Sequence, residues 1–343
     1  MRKKYILIGI LTLLLICTQM FGSAPKMGTN GATELLIPMG ALSTALGGSN
    51  IACVSGTEAI YWNPAGLSNM KNGEASFSYM NYFANMNVTY LAAGFNVGSF
   101  GVIGVSAQVL DIGEIKVTTW DSPDGTGEII SPNYLTASLT YSKRFTDRIL
   151  FGTNAKVISE RVGTMNASAV AMDVGLQYLT PFGVGFGVTL RNFGTEMQFS
   201  GEAIEFDSEI PGAGPNSTSR KTKLDMASAE LPTSMNIGLS YKYDMNYFGN
   251  VNFSAVYNNN AFELDHLSFG AEYDIMNKLF VRAGYMAYMY PDDWDWDKDL
   301  EYGLSYGLGL NLDMGGNSFR FDYAARPMET FDVNQYFSIS IGF

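Results

Sequence analysis

The chain of 343 residues has a formal net charge of −12, from 33 acidic and 21 basic side chains, which disfavours a nucleic-acid-binding protein. Beyond the N-terminus no stretch approaches the roughly 18 consecutive apolar residues of a membrane-spanning helix. With 20 Tyr, 22 Phe and 37 Gly, the composition favours strands and tight turns.

Residues 1–24 are predicted to be a secretory signal peptide. Three basic residues, Arg2, Lys3 and Lys4, precede an apolar run of 13 residues that ends at Cys17 and is too short to cross a bilayer. Small residues follow, as a cleavage site requires. Cys53 is then the one remaining cysteine, so we expect no disulfide within the chain and a buried, unreactive thiol.

Residues 25–73, called the N-terminal segment below, show no sustained alternation of apolar and polar side chains. They are rich in Gly, Ala, Ser and Asn. Pro38 followed by Gly47 and Gly48 predicts a short helix between them. We therefore treat this segment as separate from the strands that follow.

From Glu74 to Phe343 apolar and small or polar side chains alternate, as on a strand with one apolar face. Near the end of the chain, Phe337, Ile339 and Ile341 alternate with serines and glycine. Fourteen strands are predicted, at 74–83, 87–97, 100–110, 134–145, 149–160, 168–179, 182–192, 233–244, 248–258, 266–275, 279–290, 302–312, 317–325 and 334–343. An even number of such strands in an exported chain predicts an all-β, antiparallel barrel in the bacterial outer membrane.

Short and long connections alternate between these strands. Short turns belong on the periplasmic side of such barrels and long loops on the outside. The three longest connections, 111–133, 193–232 and 291–301, together carry a formal charge of −13. Solubility and repulsion of neighbours account for this charge, and a docking surface for a basic partner or a cation is the alternative.

The densest acidic run contains Asp292, Asp293, Asp295, Asp297 and Asp299. Alternating aspartates can supply oxygen ligands to calcium. However, Lys298 stands where an EF-hand has its turn glycine, so we favour a solvated loop. No cofactor is expected otherwise, and whether a metal binds stays open.

The inward-facing positions are predicted to hold charges of both signs. The cations are Arg144, Lys156, Arg191, Lys242, Arg282 and Arg320, and the anions are Glu160, Asp173, Glu272, Asp274 and Asp322. Such a balance predicts internal ion pairs rather than a charge-selective pore. On the outward face we expect aromatic girdles, with Tyr241 and Tyr243 near the periplasm and Tyr288 and Tyr290 at the outer end.

Catalysis is not predicted. The single histidine, His266, follows Asp265 and shares a strand face with Ser268, but this pattern has low specificity for a hydrolase. We therefore expect a protein that is not an enzyme.

A local motif in the N-terminal segment is more specific. Trp62, Asn63, Pro64, Ala65 and Gly66, together with the upstream stretch at 40–48, resemble the N-terminal region of FadL-like outer-membrane proteins, especially their PorV/PorQ branch. The resemblance implies a fourteen-stranded barrel whose lumen is plugged by this segment. It also implies that Phe343 belongs to the signal read by the barrel assembly machinery.

The resemblance leaves two functions open. PorV-type proteins handle or scaffold exported proteins at the cell surface with secretion-system components, as in type IX secretion, whereas FadL-type proteins pass hydrophobic small molecules. Acidic loops would repel anionic amphiphiles over a Debye length of about 8 Å, so we expect the protein-handling role first. The partners expected are outer-membrane lipid, the assembly machinery and exported proteins or secretion components.

Overall fold

The computed structural model describes residues 26, 28–208, 220–246, 249–289, 303–328 and 331–343. Fourteen long strands dominate it. They are β1 (Gly73–Asn81), β2 (Asn87–Asn96), β3 (Val102–Asp111), β4 (Asn133–Arg144), β5 (Ile149–Val162), β6 (Met165–Leu179), β7 (Val184–Gly194), β8 (Ser234–Asp244), β9 (Asn250–Asn260), β10 (His266–Ile275), β11 (Leu279–Tyr288), β12 (Leu304–Met314), β13 (Asn317–Arg326) and β14 (Asn334–Gly342).

The fourteen strands close into an antiparallel barrel. Each strand pairs with its neighbours in chain order, and β1 pairs with β14 from Glu74–Gly342 to Asn81–Gln335. Next to that pairing, Gly73 and Phe343 exchange two backbone hydrogen bonds of 3.0 Å. Closure leaves no unpaired sheet edge within the bilayer. The predicted strand number is confirmed, and every predicted strand end agrees within three residues.

Side chains alternate between the two faces of the barrel wall, as the sequence predicts. Phe337 and Ile339 are 45% and 41% exposed, whereas Ser338 between them is buried. Tyr241 and Tyr243 lie on the outward face as expected. The expectation for Tyr288 was wrong: it shares the parity of buried Arg282 and faces the lumen. Tyr290 lies outside the described residues.

All connections at the end of the barrel where β1 begins, called the short-turn end, have two to five residues, and a few short turns such as 163–164 lie at the opposite end. The long connections 112–132, 195–233 and 289–303 also lie at that opposite end, called the long-loop end. The described parts of these connections contain small hairpins, such as Glu205–Ser208 with Arg220–Lys223. No helix among the described residues is long and apolar enough to cross a membrane.

The N-terminal segment forms four short helical turns. They are a 3-10 turn at Thr33–Leu36, α1 (Ala41–Ala45), α2 (Ala59–Trp62) and a 3-10 helix at Pro64–Asn69. The predicted helix after Pro38 is thus confirmed at α1. Asn63 caps the last turn, since its Oδ1 accepts a hydrogen bond from the backbone N–H of Ala65 at 3.2 Å.

Between these turns and the barrel wall the packing is close because the wall presents glycines. Among the described residues, nine inward positions on nine strands are glycines at which a Cβ atom would lie less than 3.0 Å from an atom of the N-terminal segment. They are Gly94, Gly104, Gly152, Gly175, Gly187, Gly238, Gly270, Gly284 and Gly307. At Gly175, for example, the added atom would lie 2.1 Å from Oδ1 of Asn63. The segment therefore lies against the backbone of the wall around most of the barrel.

Candidate ligand-binding chamber

A chamber of about 440 Å³ lies inside the barrel at the long-loop end. The N-terminal segment forms its floor, and the ends of six strands form its wall. Residues of the floor that line it include Leu35, Ile37, Pro38, Tyr61 and Trp62, and residues of the wall include Arg191, Asn192, Ser234, Asn236, Asn258, Asn260, His266, Met286, Tyr288 and Arg326. Its volume lies within the range of small-molecule sites, roughly 300–1,000 Å³.

A β-bulge places Arg191 and Asn192 together in this chamber. The pairing of β6 with β7 shifts between Met172 and Val174, so that Asp173 faces two residues of β7. Asn192 has a left-handed backbone with φ of 57°, and its N–H donates to Oδ1 of Asp173 at 2.8 Å. The carboxylate thus replaces the missing backbone partner.

The guanidinium group of Arg191 lies on the aromatic floor. Its centre is 4.2 Å from the centroid of the Tyr61 ring and 5.8 Å from that of Trp62. These are distances at which a cation is attracted to a ring face. Although the side chain is buried, Nε and Nη2 have no hydrogen-bond partner.

The nearby carboxylate of Asp173 is already engaged by other donors. Its Oδ2 accepts hydrogen bonds from Nζ of Lys156 at 2.7 Å and from Nδ2 of Asn154 at 3.1 Å. Two buried cations, Lys156 and Arg191, therefore share one carboxylate. This part of the wall therefore has one unmatched positive charge. A buried charge without a partner is costly.

The two aromatic rings of the floor are fixed by hydrogen bonds to the chain before α1. The Tyr61 hydroxyl donates to the carbonyl of Ile37 at 2.7 Å, and Nε1 of Trp62 donates to the carbonyl of Met39 at 2.7 Å. The Trp62 ring also contacts Gly48, where a Cβ atom would lie 2.5 Å away. The floor is consequently rigid and aromatic.

The remaining wall is polar. Oδ1 of Asn236 is buried without a hydrogen-bond partner. Glu263, in the connection between β9 and β10, also lines the chamber. Burial raises the pKa of Glu263, while Arg326 and Arg191 oppose that rise. The chamber thus combines an aromatic floor, amide groups and two arginines.

A second chamber of about 440 Å³ lies on the short-turn side of the N-terminal segment. Cys53 lines it. The predicted burial of this thiol was wrong, because the Cys53 side chain is exposed to the chamber. The side chain is nevertheless surrounded by protein on the other sides of the chamber. Burial within the protein raises the pKa of the Cys53 thiol to about 12, so the thiol stays protonated near neutral pH.

The predicted internal ion pairs are confirmed for Lys156, Arg282 and Arg320, whereas Arg144, Arg191 and Lys242 make no ion pair with the described residues. Arg282 donates from Nε to Glu272 at 2.6 Å and from Nη1 to Asp322 at 2.8 Å. Arg320 also pairs with Asp322, at 3.0 Å. This network closes the wall beside the second chamber.

The residues of the Trp-Asn-Pro-Ala-Gly motif have different surroundings. Trp62 lines the first chamber, whereas Asn63, Pro64, Ala65 and Gly66 are buried against the wall. Nδ2 of Asn63 donates to the carbonyls of Ile51 at 2.8 Å and Leu176 at 3.2 Å. That the segment plugs a conduction path stays a prediction.

The other predicted sites are not brought to the chamber. Asp292, Asp293, Asp295, Asp297 and Asp299 lie outside the described residues, so calcium binding stays a prediction. Within the described part of the chain, no group of three or more metal-ligating side chains is assembled.

Phe343 and the histidine have structural surroundings. The Phe343 ring lies 6.2 Å from that of Phe95, and its role in assembly stays a prediction. Beside His266, the carboxylate of Asp265 accepts hydrogen bonds from Tyr257 at 2.8 Å and Asn259 at 2.9 Å, so these donors occupy the group that a catalytic histidine would need.

From the sequence, the lining arginines and asparagines could be assigned to their strands. They could not be assigned to a common chamber. Arg191 was predicted to face inward, and it does. Asn236, Asn258 and Asn260 gave no signal beyond alternation, because only closure of the barrel brings their strands together with Tyr61.

The closed barrel of fourteen antiparallel strands around an internal segment is the fold of an outer-membrane protein, and the protein is a β-barrel of the bacterial outer membrane. No protein-family model matches the sequence, and no curated protein matches it. Among solved structures, the monoaromatic hydrocarbon channel CymD is 16% identical with a TM-score of 0.56, over 89% of this chain and 97% of that one.

Two further structures are similar over nearly the whole length of both chains. The Pseudomonas putida toluene transporter TodX is 14% identical with a TM-score of 0.54, over 93% of this chain and 98% of that one. A Pseudomonas aeruginosa FadL homologue is 11% identical with a TM-score of 0.53, over 93% and 99%. At these identities the likeness establishes the fold.

Proposed function

We propose that the protein is a channel for small hydrophobic or amphipathic molecules, which it binds in the chamber at the long-loop end. The observation that carries this proposal is the chamber itself, a space within the lumen with the rings of Tyr61 and Trp62 as its floor. Support comes from the fold, because two similar structures are a monoaromatic hydrocarbon channel and a toluene transporter.

The N-terminal segment gives such a channel its barrier. Its backbone lies against wall glycines such as Gly152 and Gly284, so it separates the first chamber from the second. A molecule could rest in the first chamber, and further passage would require a change in the segment. A water-filled pore for any small solute is therefore not what we propose.

Handling of exported proteins is the second candidate. The observation that favours it is the formal charge of −13 on the three long connections, which could dock a basic partner. The three similar structures named above do not add support for this role. Recovery of exported proteins or secretion components in a pull-down from native membranes would support it.

Uptake measurements on cells test the channel proposal. A strain lacking the gene should take up radiolabelled toluene more slowly than the same strain carrying the gene on a plasmid. Ser234→Trp would place a large ring in the chamber and should abolish the difference, whereas Met235→Trp, at the adjacent outward-facing position, should leave uptake intact. Equal uptake with and without the gene would overturn the proposal.

A further inference from the structure

We propose that the chamber at the long-loop end binds a small aromatic acid, whose carboxylate is held by the guanidinium group of Arg191. This inference rests on the proposed channel function and narrows its substrate class. It is carried by the unmatched charge and the unpaired donors of the chamber wall.

Charge is the first argument. Both oxygens of Asp173 are already used, Oδ1 by the Asn192 N–H and Oδ2 by Lys156 and Asn154. Arg191 is buried beside them and makes no ion pair with a described carboxylate, while Glu263 of the same chamber is opposed by two arginines, Arg191 and Arg326. An anion bound in the chamber would supply the missing counter-charge, which a neutral hydrocarbon cannot do.

Donor geometry is the second argument. The two partnerless nitrogens of Arg191, Nε and Nη2, form one edge of the guanidinium plane. Two parallel N–H groups on one edge match the two oxygens of a carboxylate, and such paired contacts are stronger than single ones. The face of the same plane is already covered by the Tyr61 ring at 4.2 Å. Both nitrogens have almost no exposed surface, so a carboxylate would pair with this edge once the Arg191 side chain turns it toward the chamber.

The size and polarity of the chamber select the rest of the molecule. The rings of Tyr61 and Trp62 can pack against an aromatic ring at favourable offset or edge-to-face geometry. The unpaired Oδ1 of Asn236 can accept a hydrogen bond from a hydroxyl or amino group. A long alkyl chain would instead bury the amides of Asn258 and Asn260 without new partners. We therefore infer a compact aromatic acid with a polar substituent.

The negative charge of the long loops does not prevent an anion from binding at Arg191. Their repulsion of anions is screened over about 8 Å at physiological salt, whereas the interaction with buried Arg191 is screened much less. The loops would slow the approach of an acid, and the arginine would hold it once inside.

Calorimetry on the full-length protein in detergent tests the inference with four probes: benzoate, benzamide, toluene and dodecanoate. We expect benzoate to bind at least about tenfold more tightly than its neutral isostere benzamide, because a charge-assisted pair is lost in the amide. Arg191→Gln should remove this preference. Arg191→Lys, which keeps the charge without the two-donor edge, should retain only part of it.

Arg144→Gln is the matched control. Arg144 also faces inward but lies at the short-turn end, where Nη2 donates to Asn69 at 2.6 Å, so the variant should keep the preference for benzoate. Equal affinity for benzoate and benzamide would overturn the inference, as would tighter binding of dodecanoate than of benzoate. If an Arg191 variant fails to fold, the comparison of probes on the natural protein still decides.

The inference and the channel proposal can fail separately. If toluene uptake depends on the gene but benzoate is not bound preferentially, the channel proposal stands and the acid-binding site is overturned. If benzoate is bound preferentially but neither benzoate nor toluene shows gene-dependent uptake, the acid-binding site stands and the channel proposal is overturned.

Discussion

Two hydrogen bonds join Glu58 to Ser43 within the N-terminal segment. Oε2 of Glu58 accepts from the backbone N–H of Ser43 at 3.1 Å and from its hydroxyl at 2.6 Å. Oε1 accepts from the N–H of Leu42 at 3.2 Å. The carboxyl group of Glu58 thus caps α1 (Ala41–Ala45) from a position 15 residues away in the chain.

The stability of the protein should fall as pH rises through the range in which Glu58 ionises. Burial, reinforced by the charge of Asp322, raises the pKa of Glu58 from 4.5 to about 7. The folded protein therefore holds this proton more tightly than the unfolded chain does. The contribution of the protonated Glu58 side chain to the free energy of unfolding is greatest below pH 4.5. This contribution declines by up to about 3 kcal/mol toward pH 7.

Urea unfolding checks this pH dependence. Glu58→Gln and the natural protein are compared between pH 4 and pH 8, roughly the range over which the Glu58 carboxyl group titrates. The difference between their unfolding free energies should change with pH in the stated direction. Glu230→Gln, which removes an exposed acid paired with Lys26, is the control and should show no such change. A constant difference for Glu58→Gln would show that its ionisation is not linked to folding.

Added volume at the glycines of the wall should disturb the N-terminal segment. In Gly175→Ala the new Cβ atom would lie 2.1 Å from Oδ1 of Asn63, and in Gly152→Ala it would lie 2.3 Å from the backbone of Pro64. Each should lower the free energy of unfolding by about 1–3 kcal/mol and make the segment more sensitive to protease. In Gly303→Ala the nearest atom would be 3.4 Å away, so this control should behave like the natural protein. Equal protease resistance in all three would contradict the close packing.

Loss of the central cation of the wall should be strongly destabilising. Arg282→Gln would leave Glu272 and Asp322 with fewer partners, and both Arg282 and Asp322 are almost fully buried. We expect the free energy of unfolding to fall by about 3–5 kcal/mol. Lys221→Gln breaks an exposed pair with Glu205 at 3.8 Å and should cost less than about 1 kcal/mol. Similar losses for the two variants in urea unfolding would refute this distinction between buried and exposed pairs.

Asn63 should be more important as a donor than as a cap. Asn63→Asp keeps an oxygen that can accept from the Ala65 N–H but loses both bonds to the carbonyls of Ile51 and Leu176. It also places a charge in a fully buried site. We therefore expect Asn63→Asp to unfold at lower urea concentration than Asn63→Ala. The reverse order would mean that the capping bond dominates.

The barrel could be predicted from the sequence because alternation is a local property. Each strand shows its two faces within about ten residues, and the count of fourteen follows from repeating that observation. The error at Tyr288 came from treating it as a girdle residue. Its separation from Arg282 is even, so the two side chains share a face, and the inward assignment of Arg282 already implied that of Tyr288.

The chamber could not be predicted in the same way. It needs Tyr61 from the N-terminal segment, Arg191 from β7 and Asn258 from β9, which only the closed barrel brings together. The bulge that turns Arg191 and Asn192 toward the same space depends on Asp173 and has no marker in the local alternation. Similarly, the wall glycines are recognisable as inward positions, but their contact with the segment is a property of the packed structure.

The N-terminal segment runs through the full height of the barrel, which constrains the order of events during folding. Lys26 donates its backbone N–H to Ala261 at the long-loop end, whereas Gly73 begins β1 at the short-turn end. The seam between β1 and β14 joins the strand that follows the segment to the fourteenth strand of the barrel. We expect the segment to enter before that seam closes, since a sealed cylinder lined by tight backbone contacts offers it no entrance. During refolding, protection of the segment from protease and the compact gel mobility of the barrel should therefore arise together.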